Sequence, residues 1–415
     1  MKLKTFLIVG CLGGLFTLSS CTAPTNVKDY SAYVNPFIGT GGHGHTFPGA
    51  VVPHGMIQPS PDTRIDGWDA CSGYYYADST INGFSHTHVS GTGCCDYGDV
   101  LLMPTVGKQQ YRTTDPQSQR LAYASSFSHK NEIAEPGYYS VFLDTYQVKA
   151  EISSTKRGAI HRYTFPENTE SGFIIDLDYS LQRQTNSEME IEVISDTEIC
   201  GHKKTTYWAF DQYINFYAKF SKPFSYTLVT DSITMDNGKR LPVCKALLHF
   251  NTSKDEQVLV KVGVSAVDIA GARKNVESEI PGWDFEKVRK DARTAWNEYL
   301  SKIDITTSDK EDKAIFYTAL YHTGISPNLF TDADGRYLGM DLEVHQGDTL
   351  NPIYTVFSLW DTFRALHPLM TIIDPDLNNH FINSLIKKHQ EGGIYPMWDL
   401  SLIHISEPTR RRGIS

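Results

Sequence analysis

The stretch from about residue 135 to residue 268 carries one apolar or aromatic run after another, with no helical period between them. Short runs separated by turn-forming residues are typical of antiparallel strands. Many strands without intervening helices favour a β-sandwich over a parallel sheet. The runs cover residues 138–143, 158–165, 173–177, 189–194, 207–220, 224–229, 246–250 and 258–264.

The hydrophobic period changes after this stretch. Apolar residues recur at spacings of three and four over 285–303, which predicts an amphipathic helix of about five turns with Asp284 as its N-cap. Further helical runs cover residues 311–325, 357–373 and 377–390. Pro368 is expected to kink or end the second run, and Gly392 and Gly393 to cap the third. The pattern therefore predicts a β domain, a linker helix and the opening of an α domain.

The first twenty residues have the features of an export signal. Lys2 and Lys4 precede an apolar run at 6–18, which is shorter than the roughly 20 residues that a membrane-spanning helix needs. The run ends in Leu-Ser-Ser before Cys21, and this ending resembles a bacterial lipobox. It predicts cleavage before Cys21 and acylation of the Cys21 thiol, followed by a short tether at 21–29. The alternative is an ordinary secretory peptide with an incidental cysteine.

Seven cysteines are present, and two of them, Cys11 in the signal and Cys21 at the anchor, are set apart from the rest. The remaining five cannot all pair internally, because their number is odd. A bridge between the neighbours Cys94 and Cys95 is one alternative, but buried free thiols are favoured. The chain has no C-x-x-C spacing, which argues against a zinc ribbon or a thioredoxin-like site.

Composition narrows the functional classes. Lysine and arginine number 38 against 48 acidic residues, so the net charge is −10. This balance argues against a nucleic-acid footprint spread over the whole protein. Aromatic residues make up 12% of the chain, with 23 tyrosines. They fit either a tyrosine-rich β domain or a surface with stacking platforms for sugars.

Two histidine-bearing segments are candidate sites. The glycine-rich stretch at 39–49 contains His43 and His45, and it lacks the Lys-Ser/Thr ending of a phosphate-binding loop. His86 and His88, at i and i+2, would share one face of a strand. The four imidazoles together could bind a metal, but the spacing completes no known zinc pattern. Hydrogen-bonding roles in a pocket or between loops are favoured instead.

Two tryptophan-bearing segments suggest sugar contacts. Trp68, between Asp66 and Asp69, could stack on a pyranose while carboxylate oxygens accept its hydroxyl protons; packing inside a β domain is the alternative. Trp360 and Asp361 begin a predicted helix, with Arg364 at i+3 from Asp361. This second segment fits a substrate rim or a structural ion pair.

A possible calcium loop at 332–343 fails its pattern. Acids stand at the first, third and twelfth positions, but Arg336 and Tyr337 occupy the positions where an EF-hand has Asp or Asn and then Gly. A tight turn is the better prediction for this segment.

A set of segments in a fixed order resembles family 92 of the glycoside hydrolases, the calcium-dependent exo-α-mannosidases. The resemblance extends from about residue 34 to residue 398, and no single motif decides it. The matching segments read VNPFIGTGGHGHTFPGAVVPHGMIQPSPDT, GWDACSGYYY, GFSHTHVSGTGC, PGYYSVFLDTYQVKAEI with HRYTFP, FYTALYHTGISPN, DGRYLGMD, SLWDTFRALHPL and GGIYPMW.

The resemblance implies an N-terminal β-sandwich, a linker helix and a C-terminal (α/α)6 barrel, with the active site between sandwich and barrel. We place them at 30–275, 276–305 and 306–400, after the signal at 1–20. The implied reaction is inverting hydrolysis of terminal α-mannosyl bonds in glycans such as N-glycans or yeast mannan. Inversion needs a general acid and a general base ~6.5–9.5 Å apart. The implied cofactor is Ca²⁺, which prefers oxygen ligands.

Eight residues are the substrate-binding candidates under this resemblance. Trp360 and Asp361 match the mannose-recognition segment, and Trp68 is the candidate for the leaving sugar. The full set is Trp68, Asp69, His43, His86, His88, Trp360, Asp361 and Arg364. The metal ligands stay unassigned. The lipobox would place the protein in the cell envelope of a Gram-negative bacterium.

The chain departs from the family after Trp398. Residues 401–415 read SLIHISEPTRRRGIS and resemble a translated adapter read-through, so we expect them to be foreign. The family's general acid and base lie downstream of this point, and we therefore expect no catalytic carboxylate in this chain. Two hypotheses follow. One is an inactive, C-terminally truncated fragment of an exo-α-mannosidase, and the other is a non-catalytic glycan-binding surface lipoprotein.

Overall fold

The structure is a computed structural model. It describes residues 28–93, 95–112, 118–209, 211–234, 240–348, 350–393, 395–396 and 398–399. The predicted signal at 1–20, the lipidation site Cys21 and the proposed foreign tail at 401–415 lie outside the described residues. Among the described residues, no helix combines the length and the apolar character needed to cross a membrane.

The N-terminal part consists of strands that form two large antiparallel sheets and a small hairpin. The strands are β1 Ser60–Asp62, β2 Thr80–Ile81, β3 Gly83–Ser85, β4 Leu101–Val106, β5 Ser125–Glu135, β6 Tyr138–Leu143, β7 Val148–Ser154, β8 Gly158–Phe165, β9 Asn168–Asp176, β10 Thr185–Val193, β11 Glu198–Thr206, β12 Gln212–Phe220, β13 Ser225–Val229, β14 Ser232–Thr234, β15 Arg240–Pro242, β16 Lys245–Thr252 and β17 Glu256–Ser265. One sheet has six strands, in the order β1-β3-β4-β9-β16-β13. The other has nine, in the order β10-β11-β12-β17-β8-β7-β6-β5-β2.

The two large sheets pack face to face through aromatic side chains. Phe173 on β9 of the six-stranded sheet lies 5.0 Å from Tyr163 and 5.4 Å from Phe220, ring centre to ring centre, and both partners belong to the nine-stranded sheet. All three side chains are buried in one continuous hydrophobic core. The predicted β-sandwich is confirmed, and the runs at 138–143 and 158–165 coincide with β6 and β8.

Helices and short strands follow the sandwich. The helices are α1 Ile269–Glu279, α2 Phe285–Leu300, α3 Lys310–Thr323, α4 Leu359–Thr362, α5 Leu366–Ile373 and α6 Pro375–Gly392. The short strands are β18 Asn328–Leu329, β19 Arg336–Leu338, β20 Val344–Gln346, β21 Tyr354–Thr355, β22 Phe357–Ser358 and β23 Trp398–Asp399. Three single 3-10 turns lie at Ser31–Tyr33, Trp68–Ala70 and Leu181–Arg183. The described helices form only the opening of a helical domain.

The connection between the sandwich and the helical part differs from the predicted single helix at 276–305. It contains two helices, and α1 begins at Ile269, inside the stretch assigned to the β domain. α1 lies directly on the nine-stranded sheet, because Gly263 on β17 has no Cβ that would collide with the Ala272 carbonyl. α1 has few apolar positions, with Ala272 and Val276 among its buried ones, so its period was weak in the sequence.

The α2 helix follows its prediction closely. The Asp284 side chain accepts a hydrogen bond from the Lys287 N–H, as an N-cap should. Its apolar stripe buries Trp296, whose indole N–H donates to the Val51 carbonyl at 2.6 Å. Trp296 also packs against Tyr321 of α3 at 4.3 Å between ring centres. These contacts join the N-terminal loops to the helical part.

The run at 357–373 was expected to be helical, with a kink or an end at Pro368, but the structure breaks it at another point. It begins with β22, continues as α4 and breaks at 363–365, before Pro368. Pro368 itself lies in the first turn of α5, where a backbone N–H has no partner within the helix and proline is tolerated. The predicted cap of α6 is confirmed, since Gly393 adopts the left-handed conformation with φ 75°.

The segment 332–343 forms the predicted turn. Gly335 donates its N–H to the Asp332 carbonyl at 2.9 Å and has φ 87°. The chain then continues as the hairpin of β19 and β20.

The cysteines correct one prediction. Cys71 and Cys95 form a disulfide with their Cα atoms 4.0 Å apart, so the expectation of free thiols is wrong for this pair. The pairing also excludes the alternative bridge from Cys95 to its neighbour. Cys200 and Cys244 are free and buried, as expected. Two loops that are 24 residues apart in sequence meet at the disulfide, and no spacing rule could have revealed that contact.

Candidate functional site

Three exposed tryptophans lie on segments that border a single loop. The chain has six tryptophans, and the three that are most exposed are Trp68 at 57%, Trp208 at 44% and Trp360 at 68%. Each lies on a segment that contacts residues 86–97. We call the surface formed by Trp68, Trp360 and this loop the aromatic face.

Trp68 is held by close contacts with the N-terminal loops. Its indole N–H donates to His43 Nδ1 at 2.9 Å, and the His45 ring meets the indole nearly at right angles, 4.6 Å away. The ring lies against Gly93, where any Cβ atom would collide with it. The loop around residue 93 therefore forms the floor of the aromatic face at this indole, and more than half of the Trp68 side chain stays exposed to solvent.

Asp69 completes the arrangement at Trp68. Its carboxylate lies 3.5 Å from His43 Nδ1 and 3.6 Å from an Arg64 guanidinium nitrogen. Arg64 is itself fixed by a hydrogen-bonded ion pair with Asp78 at 2.9 Å and by stacking over Tyr75. The structure thus brings the predicted Trp68, Asp69 and His43 together beside an oriented guanidinium.

The prediction for His86 and His88 is corrected by their burial. β3 ends at Ser85, so the two residues share no strand face, and both side chains lie inside the protein. His86 contacts the Val100 carbonyl at 2.7 Å and His161 Nε2 at 3.1 Å, and burial lowers its pKa to about 4. His88 pairs with Asp62 at 2.9 Å. Neither imidazole has surface left for a substrate.

The four-histidine metal group, which the sequence did not favour, is not formed among the described residues. The described residues bring together His43, His45 and Asp69 instead, with one possible ligand atom from each within 4.8 Å of the others. Calcium takes about six to eight oxygen ligands, whereas this group offers two nitrogens and one carboxylate oxygen. These residues do not fit calcium. Burial and the neighbouring His43 lower the pKa of His45, which favours its neutral form.

Trp360 and Asp361 lie on α4, which directly follows β22. The Ser358 hydroxyl donates a hydrogen bond to the Asp361 carboxylate and fixes its orientation. Among the described ion pairs, Arg364 does not meet Asp361; its guanidinium lies 5.8 Å from the centre of the Phe363 ring. The structural ion pair considered for this segment is therefore not formed. Val356, just before β22, packs against Val89 and Tyr97, so this segment borders the loop at 86–97.

A buried ion pair that sequence reasoning missed supports this segment. β22 pairs with β23, with Ser358 opposite Trp398. The next residue, Asp399, is fully buried and pairs with Lys388 of α6 at 2.9 Å. The sequence contained one indication that Lys388 is buried. Lys388 follows Phe381 and Ser384 at helical spacing, and since both of these are buried, Lys388 falls on the core side of α6.

Comparison with known proteins decides the family. Residues 33–265 match the sequence model of the glycosyl hydrolase family 92 N-terminal domain, which is more than half of the chain. The chain belongs to glycosyl hydrolase family 92. Residues 271–406 of this family 92 chain match the catalytic domain of the same family.

Relatives and solved structures agree with this assignment. A family GH92 α-mannosidase of Bacteroides thetaiotaomicron has 35% identity and a TM-score of 0.84, over 90% of this chain and 52% of its own. An inverting family GH92 mannosidase of the same species has 28% identity and a TM-score of 0.77, over 90% of this chain and 50% of its own. An uncharacterized secreted glycosidase of Arthroderma benhamiae is 30% identical over 77% of this chain and 46% of its own length. The family 92 chain thus spans about half the length of these relatives.

Proposed function

We propose that the aromatic face recognises the terminal α-mannosyl units of glycans, and that the whole protein hydrolyses them with inversion. The observation that carries the proposal is the likeness to the Bacteroides thetaiotaomicron α-mannosidase, which has also been solved in complex with mannoimidazole. N-glycans and yeast mannan are the substrates we propose. The sequence-predicted residues at the aromatic face supply the chemistry that such recognition needs.

Trp68 and Asp69 are suited to one sugar ring. An indole offers a flat apolar surface of the kind that packs on the C–H face of a pyranose. The Asp69 carboxylate accepts hydrogen bonds, and Arg64 beside it donates them, so both partners of a hydroxyl group are present. Trp360 and Asp361 offer the same combination on α4, with the Asp361 carboxylate already oriented by Ser358.

We assign recognition rather than proton transfer to these carboxylates. An inverting glycosidase needs one protonated carboxyl group to donate to the leaving oxygen and one carboxylate to activate water. Asp69 already lies in an ion pair with the Arg64 guanidinium, 3.6 Å away. We therefore place the general acid and base outside the described residues, as the sequence resemblance implies. Calcium dependence belongs to the proposal for the whole protein, with oxygen ligands other than the His43, His45 and Asp69 group.

The 415-residue chain is expected to bind α-mannosides without hydrolysing them. Calorimetric titration with α-1,2-mannobiose should give saturable binding, while released mannose stays at the level of a protein-free control. Trp68→Ala and Trp360→Ala should each weaken binding about tenfold, because each removes an aromatic contact worth roughly 1.4 kcal/mol. Trp283→Phe, a change outside the aromatic face, is the matched control.

Two results would count against this assignment. Calcium-dependent mannose release above the control would place catalytic carboxylates within the 415 residues. Unchanged affinity in both tryptophan variants would remove the aromatic face from the recognition of mannose.

We further propose that the protein is exported and anchored in the cell envelope through an acylated Cys21. The disulfide between Cys71 and Cys95 supports export, because such bonds persist in oxidising compartments. In a Gram-negative host, the protein is expected in the membrane fraction, and Cys21→Ser should move it to the soluble fraction. Equal distribution of the two proteins would contradict the anchor.

A further inference from the structure

The loop between β11 and β12 presents two exposed aromatic side chains that no site has used so far. Tyr207 is 45% exposed and Trp208 is 44% exposed. Their rings are 6.4 Å apart and nearly perpendicular, at 87°. They directly precede Ala209, which is fully buried, so the aromatic pair is attached to an inward-facing anchor.

That anchor fixes the loop to the floor of the aromatic face. The Ala209 N–H donates to Asp96 Oδ2 at 2.8 Å, and the Tyr97 N–H donates to the other oxygen of the same buried carboxylate at 3.0 Å. The Tyr207 N–H closes the turn on the Ala209 carbonyl at 2.9 Å. A loop held in this way loses little conformational entropy when a ligand binds.

The pair is continuous with the surface already proposed for mannose. The Trp208 ring centre lies 6.3 Å from that of Trp398, whose strand pairs with Ser358 on the segment that carries Trp360. Ala209 packs with Val356 and Val89 in one buried cluster. Single exposed aromatic residues are ordinary, but here the three most exposed tryptophans of the chain border one loop.

We propose that Tyr207 and Trp208 form an additional sugar subsite, which binds a second part of a mannose-containing oligosaccharide longer than a disaccharide. This inference rests on the proposed function, because its ligand is the continuation of the glycan held at Trp68 and Trp360. The indole supplies a stacking surface and the tyrosine hydroxyl supplies a hydrogen-bonding group beside it. The subsite selects chain length and leaves recognition of the terminal sugar to the other tryptophans.

The test compares two ligand lengths on the 415-residue chain. Calorimetry with α-linked mannotetraose and with mannobiose should show a gain of about tenfold for the longer ligand, equal to one added aromatic contact. Trp208→Ala should remove most of that gain and change mannobiose affinity by less than about twofold. Trp208→Phe should retain part of the gain. Tyr226→Ala, which removes an exposed aromatic residue from β13, should change neither affinity.

The outcomes separate this subsite from the proposed function. If Trp208→Ala keeps the full gain for mannotetraose while Trp68→Ala abolishes mannobiose binding, the subsite is refuted and the proposed function stands. If the unaltered chain binds neither mannoside, the proposed function fails and the subsite fails with it. Equal melting temperatures of the Trp208→Ala and unaltered proteins establish that a lost gain reflects the missing ring.

Discussion

Lys388→Met is expected to lower the free energy of unfolding by about 3–5 kcal/mol. Lys388 and Asp399 are both almost completely buried, with their charged atoms 2.9 Å apart. Removing the ammonium leaves the Asp399 carboxylate without a counter-charge in a position that water does not reach. The loss should appear in urea unfolding followed by tryptophan fluorescence. Mannobiose affinity should fall as well, because Asp399 lies next to Trp398 on the strand that pairs with β22.

The neighbouring lysine provides the matched control. Lys387 is exposed on the same helix, and Lys387→Met should change the unfolding free energy by no more than about 0.5 kcal/mol. In the double variant Lys388→Met/Asp399→Asn, the buried charge disappears, so part of the lost stability should return. Equal stabilities of the Lys387 and Lys388 variants would contradict the role assigned to this ion pair.

Cys71→Ser is expected to lower the free energy of unfolding by about 3–4 kcal/mol. The disulfide closes a loop between positions 24 residues apart, and its loss gives the unfolded chain the entropy of that open loop. Trp68 lies three residues before Cys71, and Gly93 below its ring lies two residues before Cys95. Loss of the bridge should therefore also weaken mannobiose binding.

Reductant provides an internal comparison for this prediction. Dithiothreitol should lower the stability of the unaltered protein to that of Cys71→Ser and leave the variant unchanged. Cys71→Ser/Cys95→Ser should behave like the single variant, since both lack the bridge between positions 71 and 95. An unaltered protein with the same stability with and without reductant would show that the bridge does not contribute.

Local patterns predicted the parts of the fold that depend on local chemistry. β6 and β8 coincide with their apolar runs because both are inner strands of the nine-stranded sheet and most of their residues are buried. Asp284 caps α2 and Gly393 ends α6, since each feature depends on the preference of one residue for one backbone conformation. The change of hydrophobic period predicted the order of the two parts, and the family resemblance added the expectation that the helices open an (α/α)6 barrel.

Contacts between segments that are far apart in the chain could not be predicted from the sequence. The Cys71–Cys95 pairing depends on how two loops meet, and the burial of His86 depends on its contact with His161 on β8. A histidine pair in a loop gives the same sequence pattern whether it lies at the surface or in the core. Sequence reasoning also missed Trp208 as a candidate site residue, because it falls within the apolar run 207–220 that predicted a strand.

The candidate site was predicted best where neighbouring residues supply it. Trp68 and Asp69 are adjacent in sequence, and so are Trp360 and Asp361, so their pairing needed no tertiary information. The sequence placed His43 and Trp68 in separate segments, and only the structure shows the 2.9 Å hydrogen bond between them. Arg364 was placed on the same rim but lies over Phe363 instead of Asp361, because the chain leaves α4 at residue 363.

The most direct test of the central claim is fluorine NMR of the 415-residue chain with 5-fluorotryptophan at all six tryptophan positions. Single Trp→Phe variants assign the six resonances, and α-1,2-mannobiose is then titrated, with maltose as the control sugar. We predict that mannobiose shifts the resonances of Trp68 and Trp360 and leaves that of the buried Trp296 in place, while maltose shifts none. Absence of any shift at Trp68 and Trp360, or equal shifts with maltose, would contradict mannose recognition at the aromatic face.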